Sequence, residues 1–291
     1  MLLQVVLALD VGGTAIKTTL VSLSGKIVKT IEEFEAKSNE KKEVILNHFS
    51  QMIESQLLFA NKKGYQVISA GVGFPGPFDY ENGICKLEGI GKYDTLYDVN
   101  MKEFFEAQFQ IPFRFANDAD LYTLGVCHLA EGKEFNRVMC VCIGTGIGSG
   151  FFARSKLVKS GEKVPTDGFI YHIPYKDGIV DQYLSATGLR AMIKNSNLSN
   201  QISDVKELAE LAREGHDEAK DIFATFANHL AEVLPNIAEQ FQADCLVVGG
   251  QVAKSADLFI SPLEDALKEK QIQLRISTKS SELALRAACL L

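Results

Sequence analysis

An apolar run stops at a single carboxylate, and two glycines and a hydroxyl follow at once: Leu7-Ala8-Leu9-Asp10-Val11-Gly12-Gly13-Thr14. The run reads as a buried strand and the glycines as a tight turn. The next stretch constrains the fold most. In a dinucleotide fold or a P-loop the glycines open a helix. Here Ala15 to Leu23 is rich in β-branched and apolar residues (Ile16, Thr18, Thr19, Leu20, Val21) and reads as a second strand. The loop therefore closes a hairpin. Its glycines let an anion approach main-chain N–H groups, and Thr14 adds a hydroxyl donor. Asp10, at a strand end, can hold Mg²⁺ directly or through water. An ordinary β-turn with Asp and Gly in their usual roles fits the same residues.

The pattern then recurs. Arg137 to Ile143 is an apolar strand that ends in Gly144-Thr145-Gly146-Ile147-Gly148-Ser149-Gly150, and the chain is strand-like again from Phe151. Two such hairpins predict a duplicated architecture, with two half-domains each offering a phosphate loop across a cleft. The internal copy favours the phosphate reading over the plain turn for both loops.

The remaining pattern fills in an α/β chain. Leu3 to Asp10, Ala15 to Ser22 and Lys26 to Phe34 read as consecutive antiparallel strands, with Ser24-Gly25 as the second turn. Lys41 to Ala60 has helical apolar spacing. Gln66 to Val72 is a strand that runs into the rigid turn Gly73-Phe74-Pro75-Gly76-Pro77. Ligands of open α/β sheets collect at such strand ends. Asn100 is placed to cap a helix carrying Phe104 and Phe105 on its apolar face. Pro112 to Ala116 is a strand ending in Asn117-Asp118, and Leu121 to Ala130 a helix. Asn and Asp at that junction suit either helix capping or work as a general base toward a hydroxyl. Lys163 to Asp181 is irregular and holds His172. Val180 to Ile193, Val205 to Arg213 and Glu218 to Phe241 follow as helices, the last kinked at Pro235. Asp244 to Val248 is a strand ending in Gly249-Gly250, followed by a helix at Ser255 to Glu269, a strand at Gln273 to Ser277 and a final helix at Ser281 to Leu290.

With 291 residues the chain suggests one large or two medium domains. The change of lobe is expected near Ala116, giving a small lobe at 1–116, a large lobe at 117–280 and a last helix, about 281–291, that packs back on the first. A net charge of −7 argues against a general nucleic-acid binder. The six cysteines include no Cys-x-x-Cys and read as buried free thiols. The opening residues lack a charged segment and a small-residue cleavage site, and no run reaches membrane-spanning length. A reducing, cytoplasmic setting follows.

Asp10-Val11-Gly12-Gly13-Thr14, Gly71-Val72-Gly73-Phe74-Pro75-Gly76-Pro77, Asn117-Asp118-Ala119 and Ile143-Gly144-Thr145-Gly146-Ile147-Gly148-Ser149-Gly150 occur in that order, and Leu246-Val247-Val248-Gly249-Gly250 closes the series. Together they resemble the ROK family of bacterial sugar kinases, over residue 5 to the C-terminus. The resemblance implies the ribonuclease H-like (actin-like ATPase) fold, an α/β arrangement of two lobes. Each would have a mixed five-stranded sheet with flanking helices, and the active site would lie in the interlobe cleft. It implies ATP and Mg²⁺ as cofactors, a sugar as acceptor, a homodimer, and no nucleic-acid or membrane partner. Family repressors carry a helix-turn-helix ahead of the first strand. This chain opens on the strand, so the kinase branch is indicated.

The resemblance also implies residue roles. Gly12-Gly13-Thr14 and Gly144-Thr145-Gly146 hold the ATP phosphates, Gly249-Gly250 lies by the adenine or ribose, and Asp10 positions Mg²⁺. Lys17 matches a lysine frequent in the first motif. Asp118 is the general base, Asn117 binds neighbouring hydroxyls, and Gly76 lets the sugar lie against backbone. The chain departs from the family at Gly168-Phe169-Ile170-Tyr171-His172, where Gly-Glu-x-Gly-His is common. Phe169 takes the place of the sugar-gripping Glu, and the zinc cysteines are missing, so no zinc is expected. His172 remains as a sugar donor or a structural residue. Asp181 contacts sugar or caps the following helix. The expected activity is glucokinase-like transfer to a hexose, N-acetylhexosamine or glucoside. The alternative is a catalytically weak or inactive sugar or nucleotide sensor on the same scaffold.

Overall fold

The structure, a computed structural model, describes residues 2–161 and 163–291. The chain forms two compact units, Met1–Gly125 with Ser281–Leu291, and Val126–Ser280. Sequence placed the change of lobe near Ala116. The chain instead passes between units inside a helix, because Ala119, Leu121 and Tyr122 of its first turns are buried.

The first unit is built on one sheet. Its strands are β1 (Leu3–Val11), β2 (Ala15–Ser22), β3 (Glu32–Glu35), β4 (Tyr65–Phe74) and β5 (Phe113–Asn117), in the order β3-β2-β1-β4-β5. β1 pairs antiparallel with β2 and parallel with β4, and β4 pairs parallel with β5. β1 is buried on both faces, as its unbroken apolar run requires. On one face Val5, Leu7 and Leu9 pack with Phe49 and Ile53 of α1 (Lys42–Lys63) and Phe105 of α2 (Met101–Phe109). On the other, Val6, Ala8 and Val21 meet Leu285 of the C-terminal helix and Ala288 just beyond it. Gly71 admits that contact. A Cβ there would stand 2.6 Å from the Ala288 carbonyl oxygen.

The second unit repeats the plan. Its strands are β6 (Arg137–Ile143), β7 (Ile147–Ala153), β8 (Lys156–Leu157), β9 (Cys245–Gly249) and β10 (Gln273–Ile276), in the order β8-β7-β6-β9-β10. β6 pairs antiparallel with β7 and parallel with β9, and β9 pairs parallel with β10. The expected duplication is thus present strand for strand. Four described helices flank this sheet, α4 (Ala186–Lys194), α5 (Val205–Arg213), α6 (Asp217–Phe241) and α7 (Ile260–Glu269), of which α6 supplies Phe223, Phe226, Leu230 and Phe241 to the core. α3 (Asp118–Leu129) joins the two units, and α8 (Ser280–Ala287) closes the chain.

Several elements differ from the sequence expectation. Lys26–Phe34 is not one strand. A single bridge links Ile27 to Val21, and the ladder resumes only at Glu32. The Thr19 hydroxyl donates to the Lys29 carbonyl at 2.5 Å and takes that group out of strand pairing. α3 starts at Asp118, not Leu121. The stretch from Val180 opens with a 3₁₀ turn, Val180–Gln182, and the α-helix begins only after Ser185, whose hydroxyl accepts from Gly188 N–H. A 3₁₀ segment, Val252–Leu258, likewise precedes α7. α6 continues through Pro235. Asn100 caps α2 by accepting from Glu103 N–H at 3.0 Å, but Phe104 faces solvent while Phe105 is buried. All six cysteines are free thiols. No described helix is long and apolar enough to cross a membrane.

Candidate active site

In the first unit three parallel strands end level with one another. Asp10 of β1 pairs with Gly73 of β4, and Gly73 pairs with Ala116 of β5. Asp10 and the Asn117-Asp118 pair therefore stand at one sheet edge, two strands apart, or roughly 10 Å at the usual spacing. Gly73 lies between them and leaves little room for a side chain. A Cβ there would sit 3.0 Å from Leu121 of α3.

The Asp10 carboxylate is reached by a short chain of donors. Lys17, its cross-strand partner, donates from Nζ to Ser281 Oγ at 3.1 Å, and the Ser281 hydroxyl is hydrogen-bonded to Asp10. Burial, and after it the charge of Asp118, push Asp10 up to about 6; Lys17 and Ser281 pull the other way. Asp118 is open to solvent, yet incomplete hydration of its carboxyl raises its pKa as well. Its own bond from Ala119 N–H, 2.9 Å, and the charge of Lys92 oppose that rise. Two carboxylates that each resist ionisation are suited to meet a cation or a proton.

Gly12 and Gly13 are not among the positive-φ glycines. They provide space. Gly12 N–H donates to Ala15 at 2.9 Å. The N–H groups of Gly13 and Thr14 make no hydrogen bond among the described residues and can accept an anion. The loop is pinned from behind. Ser38 donates to the Gly13 carbonyl at 2.7 Å and Tyr93 to the Gly12 carbonyl at 2.9 Å.

Asn117 both caps and positions. Its Oδ1 accepts from Ala119 N–H at 3.0 Å, and its Nδ2 donates to Tyr80 at 3.2 Å. The Tyr80 hydroxyl donates in turn to the Phe74 carbonyl at 3.1 Å. It also lies 3.0 Å from where a Cβ on Gly76 would stand. Gly76, Tyr80 and Asn117 thus form one surface beside Asp118.

In the second unit the loop Gly144-Thr145-Gly146 closes on itself, Gly144 N–H to Gly146 O at 2.9 Å. Ala186 N–H donates to the Gly144 carbonyl, and the Thr187 hydroxyl to that of Thr145 at 2.7 Å. Asp181 accepts from Ile147 N–H at 2.7 Å and would meet any Cβ on Gly146. It therefore braces this loop, a partnership that neither sugar contact nor simple capping described. The Thr145 and Gly146 N–H groups have no partner among the described residues. Gly250, at the end of β9, has a φ of 96°, and a Cβ would lie 2.3 Å from the Ile143 carbonyl oxygen, so only glycine fits. Its N–H donates to Ser280 at 3.1 Å.

Phe169, Tyr171 and His172 form an aromatic strip in this unit. Phe169 and Tyr171 ring centres are 5.9 Å apart, and His172 meets Tyr171 edge-on at 5.0 Å. His172 is exposed. The strip is anchored nearby, because Tyr171 O accepts from Asp181 N–H and Ser149 bonds both Gly168 O and Ile170 N–H. No group of three or more His, Cys, Asp or Glu with metal-site geometry exists among the described residues.

Sequence reasoning missed Ser38, Tyr80, Lys92, Tyr93, Ser149, Ser280 and Ser281. Most are single polar residues that act on backbone from elsewhere in the chain and leave no local pattern. Lys92 did carry a signal, since it follows two glycines in Gly89-Ile90-Gly91.

Comparison with known proteins agrees with this geometry. A family model described as the ROK family matches residues 6–284. The chain is 23% identical over 279 residues to a glucokinase of Thermotoga maritima, covering 89% of this chain and 86% of the relative. It is 31% identical to a β-glucoside kinase of Listeria innocua over 155 residues, 53% of this chain and 48% of the relative. A ROK family glucokinase from Streptomyces griseus, solved with glucose and AMPPNP, superposes with a TM-score of 0.78 at 20% identity, over 98% of each chain. That likeness shows the two-lobed, actin-like ATPase fold.

Proposed function

Because the chain belongs to the ROK family, we propose that it is an ATP-dependent sugar kinase that uses Asp118 as general base. The carrying observation is the level placement of Asp10 and Asp118 at one sheet edge, with an anion-ready loop beside Asp10 and a polar surface beside Asp118.

Phosphoryl transfer asks mainly for positioning and charge neutralisation. The N–H groups of Gly13 and Thr14 receive phosphate oxygens, and those of Thr145 and Gly146 do the same in the second unit. Gly249 and Gly250 border the nucleoside. Asp10 would hold Mg²⁺, which would neutralise charge on the phosphates. One or two carboxylates plus phosphates suffice to hold it, and the reluctance of Asp10 to ionise alone fits a carboxylate completed by a cation. Lys17 and Ser281 orient Asp10. Asn117, held by Tyr80, and Gly76 contact the sugar. Asp118 takes the proton of the attacking hydroxyl, and its raised pKa brings it nearer the working pH of a base. The acceptor is a hexose, an N-acetylhexosamine or a glucoside.

One feature favours a second reading. Phe169 stands where the family pattern has a sugar-gripping Glu, and its ring packs beside Tyr171 at 5.9 Å, which suits a sensor that binds sugar without turning it over. ADP release across a panel of sugars with MgATP separates the readings. Turnover that Asp118→Asn reduces by two decades or more supports the kinase; sugar binding by thermal shift with no ADP from any sugar supports the sensor.

A further inference from the structure

We propose that Lys92 is a further catalytic residue, its ammonium contacting the phosphoryl group in transfer beside Gly13 and Asp118. The inference rests on the kinase reading above.

Lys92 belongs to a loop that is built to hold it. Gly89 and Gly91 take φ of 69° and 73°, and Tyr93 takes 57°, a left-handed conformation that costs a non-glycine residue roughly 1 kcal/mol. Contacts toward the first glycine loop help offset that cost. The Tyr93 ring is fully buried and its phenol reaches Gly12 O. Tyr93 N–H donates to Ser38 O at 2.6 Å, and Ser38 donates onward to Gly13 O. From the other side Asp94 accepts from Ile90 and Gly91 N–H at 3.2 and 3.0 Å.

Lys92 sits between these anchors. Its stem crosses Gly13 so closely that a Cβ at that residue would lie 3.0 Å from Lys92 Cδ. The side chain is half-buried, and its ammonium makes no hydrogen bond or ion pair among the described residues. Its charge is felt by Asp118. Lys17, the other cation at this sheet edge, is committed to Ser281 and lies 3.9 Å from Glu33. A partly buried lysine without a partner, in a chain of net charge −7, is placed for an anion that is not part of the chain.

The proposed step balances. A lone pair on the sugar hydroxyl oxygen forms the new O–P bond as the bond from the γ-phosphorus to the bridging oxygen breaks. That electron pair leaves on ADP, and the hydroxyl proton passes to Asp118. Negative charge spreads over the equatorial phosphoryl oxygens during transfer. Lys92 donates to one of them, an interaction strongest at the transition state, so its removal lowers kcat more than it alters KM.

The experiment has two arms. Lys92→Met and Lys92→Arg are assayed on the sugars that the full chain phosphorylates, after both variants are shown to melt near the parent. The expected result is a kcat lowered about 10²–10³-fold in Lys92→Met, with KM for sugar and MgATP within a few-fold and part of kcat restored by arginine. In the second arm, amine labelling of the unaltered protein with trinitrobenzenesulfonate is mapped by mass spectrometry. MgAMPPNP should suppress modification of Lys92, and MgADP should not. Unchanged kcat in Lys92→Met, or labelling at equal rates with and without MgAMPPNP, overturns the assignment. If the unaltered protein releases no ADP with any sugar, the kinase reading falls, and the labelling arm alone decides whether Lys92 meets a terminal phosphate.

Discussion

Asp10 and Asp118 stand at neighbouring strand ends, and the proposed reaction gives them different tasks, one toward a metal-bound phosphate and one toward a proton. Asp118→Asn keeps the shape and removes the base. It should lower kcat by about 10²–10⁴-fold, the usual contribution of such a group, with sugar binding retained, as read by ADP release and by thermal shift. Asp10 makes a stability prediction whose sign can be worked out. Its folded-state pKa of about 6 lies above the ordinary aspartate value of 3.8, so the folded chain holds a proton that the unfolded chain gives up. Stability from this group is greatest at low pH and is lost as pH rises from near 4 through 6, a loss of up to about 3 kcal/mol. In metal-free buffer, Asp10→Asn should therefore raise the melting temperature at pH 7.5 and have little effect near pH 4, while turnover falls. A lower melting temperature at pH 7.5 would mean that Lys17 and Ser281 outweigh burial.

The two glycine hairpins were legible because a strand, a glycine loop and a second strand differ in period from a strand that feeds a helix. The strand-to-helix junction at Asn117-Asp118 was legible from residue type and the apolar run before it. Three features were not. The ladder from Lys26 breaks because a hydroxyl ten residues away in sequence takes the Lys29 carbonyl, which an alternating pattern does not reveal. Asp181 braces the second loop because a 3₁₀ turn aims it at Ile147 N–H, whereas a helix drawn from Val180 hides that direction. The Tyr93 and Ser38 buttress joins residues far apart in sequence. The C-terminal segment gives a prediction at this scale. Its Ala288 presses on Gly71 of β4, where a Cβ would come within 2.6 Å of backbone oxygen. Gly71→Ala should destabilise the chain by about 1–3 kcal/mol, the range for overpacking. Urea unfolding measures this, and a change below about 0.5 kcal/mol would show that the segment shifts freely off the sheet.

Over the whole molecule the order β8-β7-β6-β9-β10 copies β3-β2-β1-β4-β5, and each copy carries one glycine loop after its first strand. The copies are not equal in chemistry. The first holds both raised carboxylates and Lys92, and the second holds the loop braced by Asp181, the constrained Gly250 and the aromatic strip. Both carboxylates of raised pKa and Lys92 thus lie in one unit. Removing Mg²⁺ with EDTA should abolish turnover while the fold persists, since no described side-chain cluster depends on a bound metal. The most direct measurement is ADP formation by the full chain with MgATP and a panel of hexoses, N-acetylhexosamines and glucosides, with the phosphorylated product identified by mass spectrometry. A sugar-dependent release of ADP matched by one phosphosugar, and lost in Asp118→Asn, is the predicted result. Equal turnover in Asp118→Asn, or binding of sugar with no phosphosugar formed, would contradict it.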